Sequence, residues 1–299
     1  MLETPPSAAG TAPALIIVNP VAGRGRGVQV AREVQAGLAA RGLRAQIHAT
    51  ARRGDARAWL RSQTQALELV VSIGGDGTLR EVLSGLVRAE TPVGILPMGT
   101  ANVLARDFGL PRDVHAALEI YCAGRTQALD VALVNGHLAC LGASVGFDAS
   151  AVQRVDARRS GPIGLHDYAI ASLACLARYR EPRLSIRVDG QALPGEFGWA
   201  LVAGTRTYGG WFQLSRNARP DDRLLELYAL RRASRLRLAR VALRGWLAAV
   251  EGGVCEVHRA RAVRIESAEP RECQIDGDSG GRTPLAIELA PAQYRLLVP

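Results

Sequence analysis

VVSIGGDGTLREV occupies residues 70–82. A short apolar run ends in Gly74-Gly75-Asp76-Gly77-Thr78, and a helical pattern follows with Leu79, Val82, Leu83 and Leu86 on one face. A buried strand that breaks at glycines and opens a helix is the joint of a parallel α/β sheet. The joint recurs on either side. Upstream, ALIIVN (14–19) runs into NPVAGRGRG and then a helix with Val30, Val34 and Leu38 aligned. Between them, RAQIHAT reads as a strand and GDARAWLRSQTQAL as a helix. Downstream, PVGILP runs into PMGTAN, and TANVLARDFG and RDVHAALEIYCAG read as helices. This alternation predicts an N-terminal α/β domain with a parallel sheet over residues 1–125.

The pattern changes near Gly124. QALDVALVN, HLACLGASVGF, RLSIRVDG, GWALVAG and LLELYAL are β-type runs, some separated by turns such as DGQALPG and NARPDD. They predict a second, antiparallel domain over residues 126–287, interrupted by a helix in LHDYAIASLACLARY. A further helix, RLRLARVALRGWLAAV, places Leu236, Ala239, Leu243, Trp246, Leu247 and Val250 on one face, with Arg237, Arg240 and Arg244 beside it. The expectation is a core-facing helix with a solvated Arg face; the alternative is a basic amphipathic helix docking on anionic headgroups.

Composition narrows the function classes. The net charge is +9, and all 37 basic residues are Arg, since the chain contains no Lys. Such a surface favours anionic partners or serves solubility. No nucleic-acid motif or aromatic platform accompanies the charge, so nucleic acid is not expected as a partner. The five cysteines form no CxxC pair and lie near no ligand-like histidine spacing, which predicts free, buried thiols. MLETPPSAAGTAPA lacks the basic and apolar regions of a signal peptide and reads as a disordered lead-in. The longest mostly apolar stretch, YAIASLACLA, is about half a membrane span. The expectation is a cytoplasmic protein without a transmembrane segment, able to touch a membrane surface.

Ligands of open parallel sheets bind where strands end and helices begin. Three loops here hold that place and all are rich in glycine and small hydroxyl residues. Backbone amides at such turns, with a helix N-terminus behind them, accept phosphate. Three along one sheet edge predict a polyphosphate ligand. Neither GxGxxG nor the Walker A lysine is present, so amides, hydroxyls, Arg and a metal must hold it. Asp76 is useful there if Mg²⁺ sits between it and the phosphates, or if it takes a proton from an attacking hydroxyl. Otherwise it closes a turn or caps a helix.

NPVAGRGRG, GGDGTLREVLSGL, GILPMGTANVLARDFGLP and IDGD, in that order, resemble the diacylglycerol kinase catalytic-domain family, which includes bacterial lipid kinases, sphingosine kinases and ceramide kinases. The likeness runs over roughly Ala14 to Leu297. It implies a diacylglycerol kinase-like α/β domain, related to that of NAD kinases, and a C-terminal β-sandwich, with the chain end, about residues 288–299, returning to the first domain. It implies transfer of the γ-phosphoryl group of ATP, with Mg²⁺, to a lipid hydroxyl at a membrane surface. Asn19, Pro20, Gly23, Arg24, Thr50, Ser72, Gly74, Gly75, Asp76, Gly77, Thr78, Glu81, Thr100 and Asn102 fall at nucleotide positions. The late DGE motif reads Asp276-Gly277-Asp278; Asp278 inherits the proton-acceptor role, with Asp276 and Asp76 as competitors. ARPDDRLLEL (218–227) matches a structural Mg²⁺ loop, with Asp222 as the carboxylate and Arg219 and Leu224 offering carbonyls, but Arg223 stands where the family has glycine. Two alternatives remain: an NAD kinase, and a lipid-binding regulator that has lost catalysis.

Overall fold

The computed structural model describes residues 14–157, 165–210, 212–251 and 253–299; the N-terminal lead-in read from the sequence lies outside them. Four strands, β1 (Ala14–Val18), β2 (Ala45–Ala49), β3 (Leu69–Gly74) and β4 (Pro92–Pro97), pair in the order β2-β1-β3-β4, all parallel. Every residue of β1 and β3 is buried because helices cover both faces. Leu15, Ile17 and Val70 pack on Leu60, Leu79, Val82 and Leu83 on one side. Ile16, Val18 and Val71 pack on Ala31, Val34, Leu38 and Leu118 on the other. The period-two alternation of a strand thus serves two apolar layers, and each fully buried Leu or Ile contributes about 1.5–3 kcal/mol.

The last strand, Tyr294–Leu297, pairs parallel with β4 and antiparallel with Thr126–Leu129, which forms the edge of the sheet. The sequence pattern assigns Thr126–Leu129 to the second domain; on this topology we propose a boundary after Leu129. Two six-stranded antiparallel sheets follow. Val145, Val202 and Leu227 of one face Ile186, Ile265 and Ile287 of the other across an apolar core. The outer face of the former sheet, with Trp199, Leu201 and Tyr228, is covered by Leu238 and Val241 of the helix Arg235–Leu247, with Phe147 and Leu176 alongside.

Two helices are shorter than the periodicity predicts: Asp55–Arg61 and Val103–Asp107. The second is cut back because Asn102 takes a left-handed conformation, φ 48°, and residues before it form a loop. All five cysteines are free; Cys140, Cys175 and Cys273 are buried as expected, whereas Cys122 is exposed. No described helix is long and apolar enough to cross a membrane.

Candidate active site

Strand order brings the three glycine loops side by side. Asn19 N–H donates to Ile73 O at 3.0 Å, Met98 N–H to Gly74 O at 2.8 Å, and Gly23 N–H to Met98 O at 3.2 Å. Thr50 joins the rim at the end of β2, its N–H on Val18 O at 2.9 Å. The glycines have distinct reasons. A Cβ on Gly23 would stand 2.2 Å from Met98 Cε, one on Gly74 2.4 Å from Thr78 Oγ1, and one on Gly99 2.5 Å from Gly75 Cα. Gly23 and Gly99 let neighbouring loops interlock, and Gly74 lets Thr78 fold back over its own loop. Gly77 is different: nothing lies within 4 Å of its missing Cβ. It sits in the first turn of the helix Asp76–Gly85, where Thr78 N–H already donates to the Gly75 carbonyl at 3.0 Å and the Asp76 and Gly77 N–H groups precede the first helical carbonyl bond. Gly77 therefore leaves open space over a set of donors. Pro20 and the exposed Arg24 border the same rim.

The acidic residues fall into different environments. Asp76 is half-buried and accepts hydrogen bonds from Val103 N–H and Leu104 N–H, so it caps the helix that follows the third loop. Burial pushes its carboxyl above the ordinary value, the two N–H groups pull it back, and the nearby Asp276 charge raises it further. Asp276, at φ 51°, is almost wholly buried. It accepts from Cys140 N–H at 2.8 Å, Leu141 N–H at 2.8 Å and Gly142 N–H at 3.0 Å. Burial raises its pKa against the opposing pull of Arg80 and those amides. Asp278 is 23 % exposed and lies between two arginines of the first domain, with Arg80 Nη2 at 2.6 Å and Arg53 Nη2 at 2.8 Å. Burial disfavours the Arg80 charge, but Asp276 and Asp278 outweigh it and its pKa is raised.

Other residues in the expected nucleotide set are fixed elsewhere. Glu81 accepts from Gly54 N–H at 2.7 Å and so holds the loop after β2. Asn102 is buried, with both ends of its amide on the Gly99 backbone at 2.9 and 2.7 Å, closing the third loop. Ser72 is not brought to the rim: it is 1 % exposed, buried between Ile17 and Ile95 within the sheet. Thr78 stays at the rim, and Thr100 is exposed on the third loop. Arg80 and Arg53 are additions to the set. Arg80 had a sequence signal, lying one helical turn past Asp76 on the side away from the buried Leu79, Val82 and Leu83.

Residues 13–134 match the diacylglycerol kinase catalytic domain, and residues 142–298 the YegS C-terminal NAD kinase beta sandwich-like domain. A diacylglycerol kinase of Mycobacterium tuberculosis is 32% identical over 294 residues, covering 95% of this chain and 94% of its own. The chain belongs to the diacylglycerol kinase family. It is a kinase by that membership. A Bacillus subtilis diacylglycerol kinase is 28% identical over 282 residues, covering 91% of each chain. The crystal structure of a diacylglycerol kinase from Bacillus anthracis shares the fold, with a TM-score of 0.73 at 22% identity over 96% of this chain and 97% of that one.

We propose that an arginine stands in for the structural Mg²⁺ loop that the resemblance implies at Asp222, Arg219 and Leu224. Asp222 accepts from Leu224 N–H at 3.2 Å and pairs with Arg259 at 3.6 Å. Arg223 takes φ 62° and turns its guanidinium inward, with Nη1 on Asp130 Oδ1 at 3.0 Å and Nη2 on the Ala290 and Pro291 carbonyls at 2.8 and 3.2 Å. Asp130 also accepts from Arg223 N–H at 2.6 Å and from Gln293 Nε2 at 3.1 Å. A guanidinium thus gathers the carboxylate and carbonyl oxygens beside a loop that the family pattern gives to a metal. No described cluster of three or more His, Cys, Asp or Glu residues has metal-binding geometry. Arg223→Ala leaves the Asp130 carboxylate buried without its cation and is expected to cost about 3 kcal/mol, the low end for a broken buried pair because Arg223 is itself one-third exposed. Arg223→Gly is expected to regain about 1 kcal/mol of that by relieving the left-handed backbone. Without nucleotide, the melting temperature should be the same in EDTA and in excess Mg²⁺; a rise of several degrees with Mg²⁺ contradicts the assignment.

Proposed function

We propose that this kinase transfers the γ-phosphoryl group of ATP to the hydroxyl of a diacylglycerol-like lipid. One observation carries the reading: Asp278 of the antiparallel domain is gripped by Arg80, one turn along the helix that opens at Gly75-Asp76-Gly77-Thr78. A carboxylate is thereby held next to the loops read as the triphosphate rim. In the reaction, the bond from the γ-phosphorus to the β,γ-bridging oxygen breaks, the lipid oxygen bonds to phosphorus, and ADP leaves. The lipid hydroxyl proton passes to Asp278. Its two oxygens offer about four acceptor positions, and each arginine takes one. Asp276 has three N–H donors and almost no exposure, so it serves as the anchor of the turn that presents Asp278. Loop amides and the exposed Arg24 neutralise phosphate charge in place of the missing lysine. Asp76 is an oxygen donor of the type Mg²⁺ prefers and would hold the ion of Mg·ATP from the rim. That ion would add to the stabilisation of charge on the phosphates.

The match of residues 13–134 to a diacylglycerol kinase catalytic domain favours this reading over NAD phosphorylation, and the retained Asp76, Asp276 and Asp278 favour it over a regulator without catalysis. Incubating the protein with γ-³²P-ATP, Mg²⁺ and a detergent-dispersed total lipid extract should yield a labelled phosphate monoester of a neutral lipid. Label in NADP from added NAD, with none in the lipid fraction, would overturn it.

A further inference from the structure

The helix Arg235–Leu247 reverses the expected packing. Its buried residues are Leu238, Val241 and Gly245, while Leu236, Leu243, Trp246 and Leu247 are exposed, Trp246 at 76% and Leu247 at 72%. At about 100° per residue, Leu236, Leu243 and Leu247 fall within about 20° of one line, on the side opposite the buried residues. Trp246 lies on one shoulder of that line with Arg235; Arg237, Arg240 and Arg244 lie on the other. The helix carries no acidic residue, and none of its four arginines is ion-paired among the described residues. Four large apolar side chains outward on one helix are not the scattered exposure of an ordinary surface.

The underside of this helix leads to the rim. Gly245 lies on the Phe212 ring, where a Cβ would stand 2.4 Å from Cζ. Phe212 pairs with Tyr208 in a small hairpin. That hairpin reaches the helix after the third loop: Thr207 Oγ1 donates to Asp107 Oδ1 at 2.8 Å, and Arg106 Nη1 donates to Gly210 O at 2.5 Å.

We infer that the outer face of Arg235–Leu247 docks on a bilayer containing anionic phospholipid, seating the Leu and Trp side chains at the headgroup–acyl boundary while the arginines meet the phosphates. The charge decides the occupant. A second copy of this face would set four arginines against four with no carboxylate on either helix, whereas an anionic bilayer complements both the stripe and its flanks. The inference deepens the lipid-kinase reading and rests on it only for its purpose: it brings the rim to the membrane that holds the substrate.

The test is sedimentation of the full chain, without ATP, with phosphatidylcholine vesicles and with phosphatidylcholine–phosphatidylglycerol vesicles. Wild type should pellet with the anionic vesicles and little with the neutral ones. Leu243→Glu with Leu247→Glu should lower the bound fraction about tenfold, and Arg237→Gln with Arg240→Gln should remove the anionic preference. Both pairs are exposed, so melting temperatures should stay at the wild-type value. Light scattering should show the same oligomeric state for wild type and the Leu243, Leu247 variant. Wild type remaining in the supernatant, unchanged binding by both variants, or an oligomer broken by the glutamates would overturn the inference. Phosphoryl transfer to detergent-dispersed lipid separates the two claims. Transfer without sedimentation sinks the docking alone, and sedimentation without transfer sinks the kinase reading alone.

Discussion

Asp278→Asn is expected to lower kcat by about 10²–10⁴-fold, with the KM for ATP little changed. The amide retains an oxygen for Arg80 or Arg53, so the turn keeps much of its geometry, but it has lost the ability to take a proton. Asp278→Glu restores a carboxylate, at the arm length the family motif uses, and should recover activity to within about tenfold of wild type. A residue that merely ties the domains together through Arg80 would show another pattern: Asn and Glu would both shift the melting temperature, and kcat would follow stability. Arg53→Gln is the companion. It removes one clamp at 2.8 Å and leaves the other at 2.6 Å, so it should weaken positioning without abolishing turnover. An Asp278→Asn enzyme within threefold of wild-type kcat would move the proton-acceptor role elsewhere.

The second large effect is expected at Gly77, where folding and function separate. Gly74, Gly75 and Gly99 pack against protein atoms, and a methyl group on Gly74 or Gly99 would break the rim before any ligand arrived. Gly77 packs against nothing within 4 Å and its φ is not left-handed. Gly77→Ala should therefore leave the protein as stable as wild type, or more stable by about 0.5 kcal/mol because Ala is the better helix former. On the proposed reading, the same methyl group takes the space in which phosphate oxygens would approach the first-turn amides. The expected result is a fall of at least about tenfold in kcat/KM for ATP, with a melting temperature at or above the wild-type value.

The sequence carries the α/β joint well because its signals are local. Gly74 and Gly75 end a strand, Leu79, Val82 and Leu83 repeat at helical spacing, and both facts survive without knowledge of any partner. What it hides depends on distant residues. Asp276 is an anchor because strand pairing brings three N–H groups from residues 140–142 beneath it. Arg80 meets Asp278 from 198 positions away. Ser72 shares the segment of the glycine loop, but strand alternation and the covering helices bury it. Asn102 has the chemistry of a ligand contact and spends it on Gly99. In the helix Arg235–Leu247 the sequence pattern points to the face of Leu236, Leu243 and Leu247, and tertiary contacts, of Leu238 and Val241 with the sheet and of Gly245 with Phe212, choose the narrower opposite face for the core. Arg223 shows the reverse: its departure from glycine was legible, yet its use as a cation for Asp130 required the fold.

The most direct test is a calorimetric titration of Mg·ATP, without lipid, into wild type and Gly77→Ala at matched folded concentration. The wild-type chain should bind one equivalent, and the variant should bind at least about tenfold more weakly while melting no lower. Equal affinities, or no heat of binding to wild type, would contradict the claim that the glycine rim holds the triphosphate.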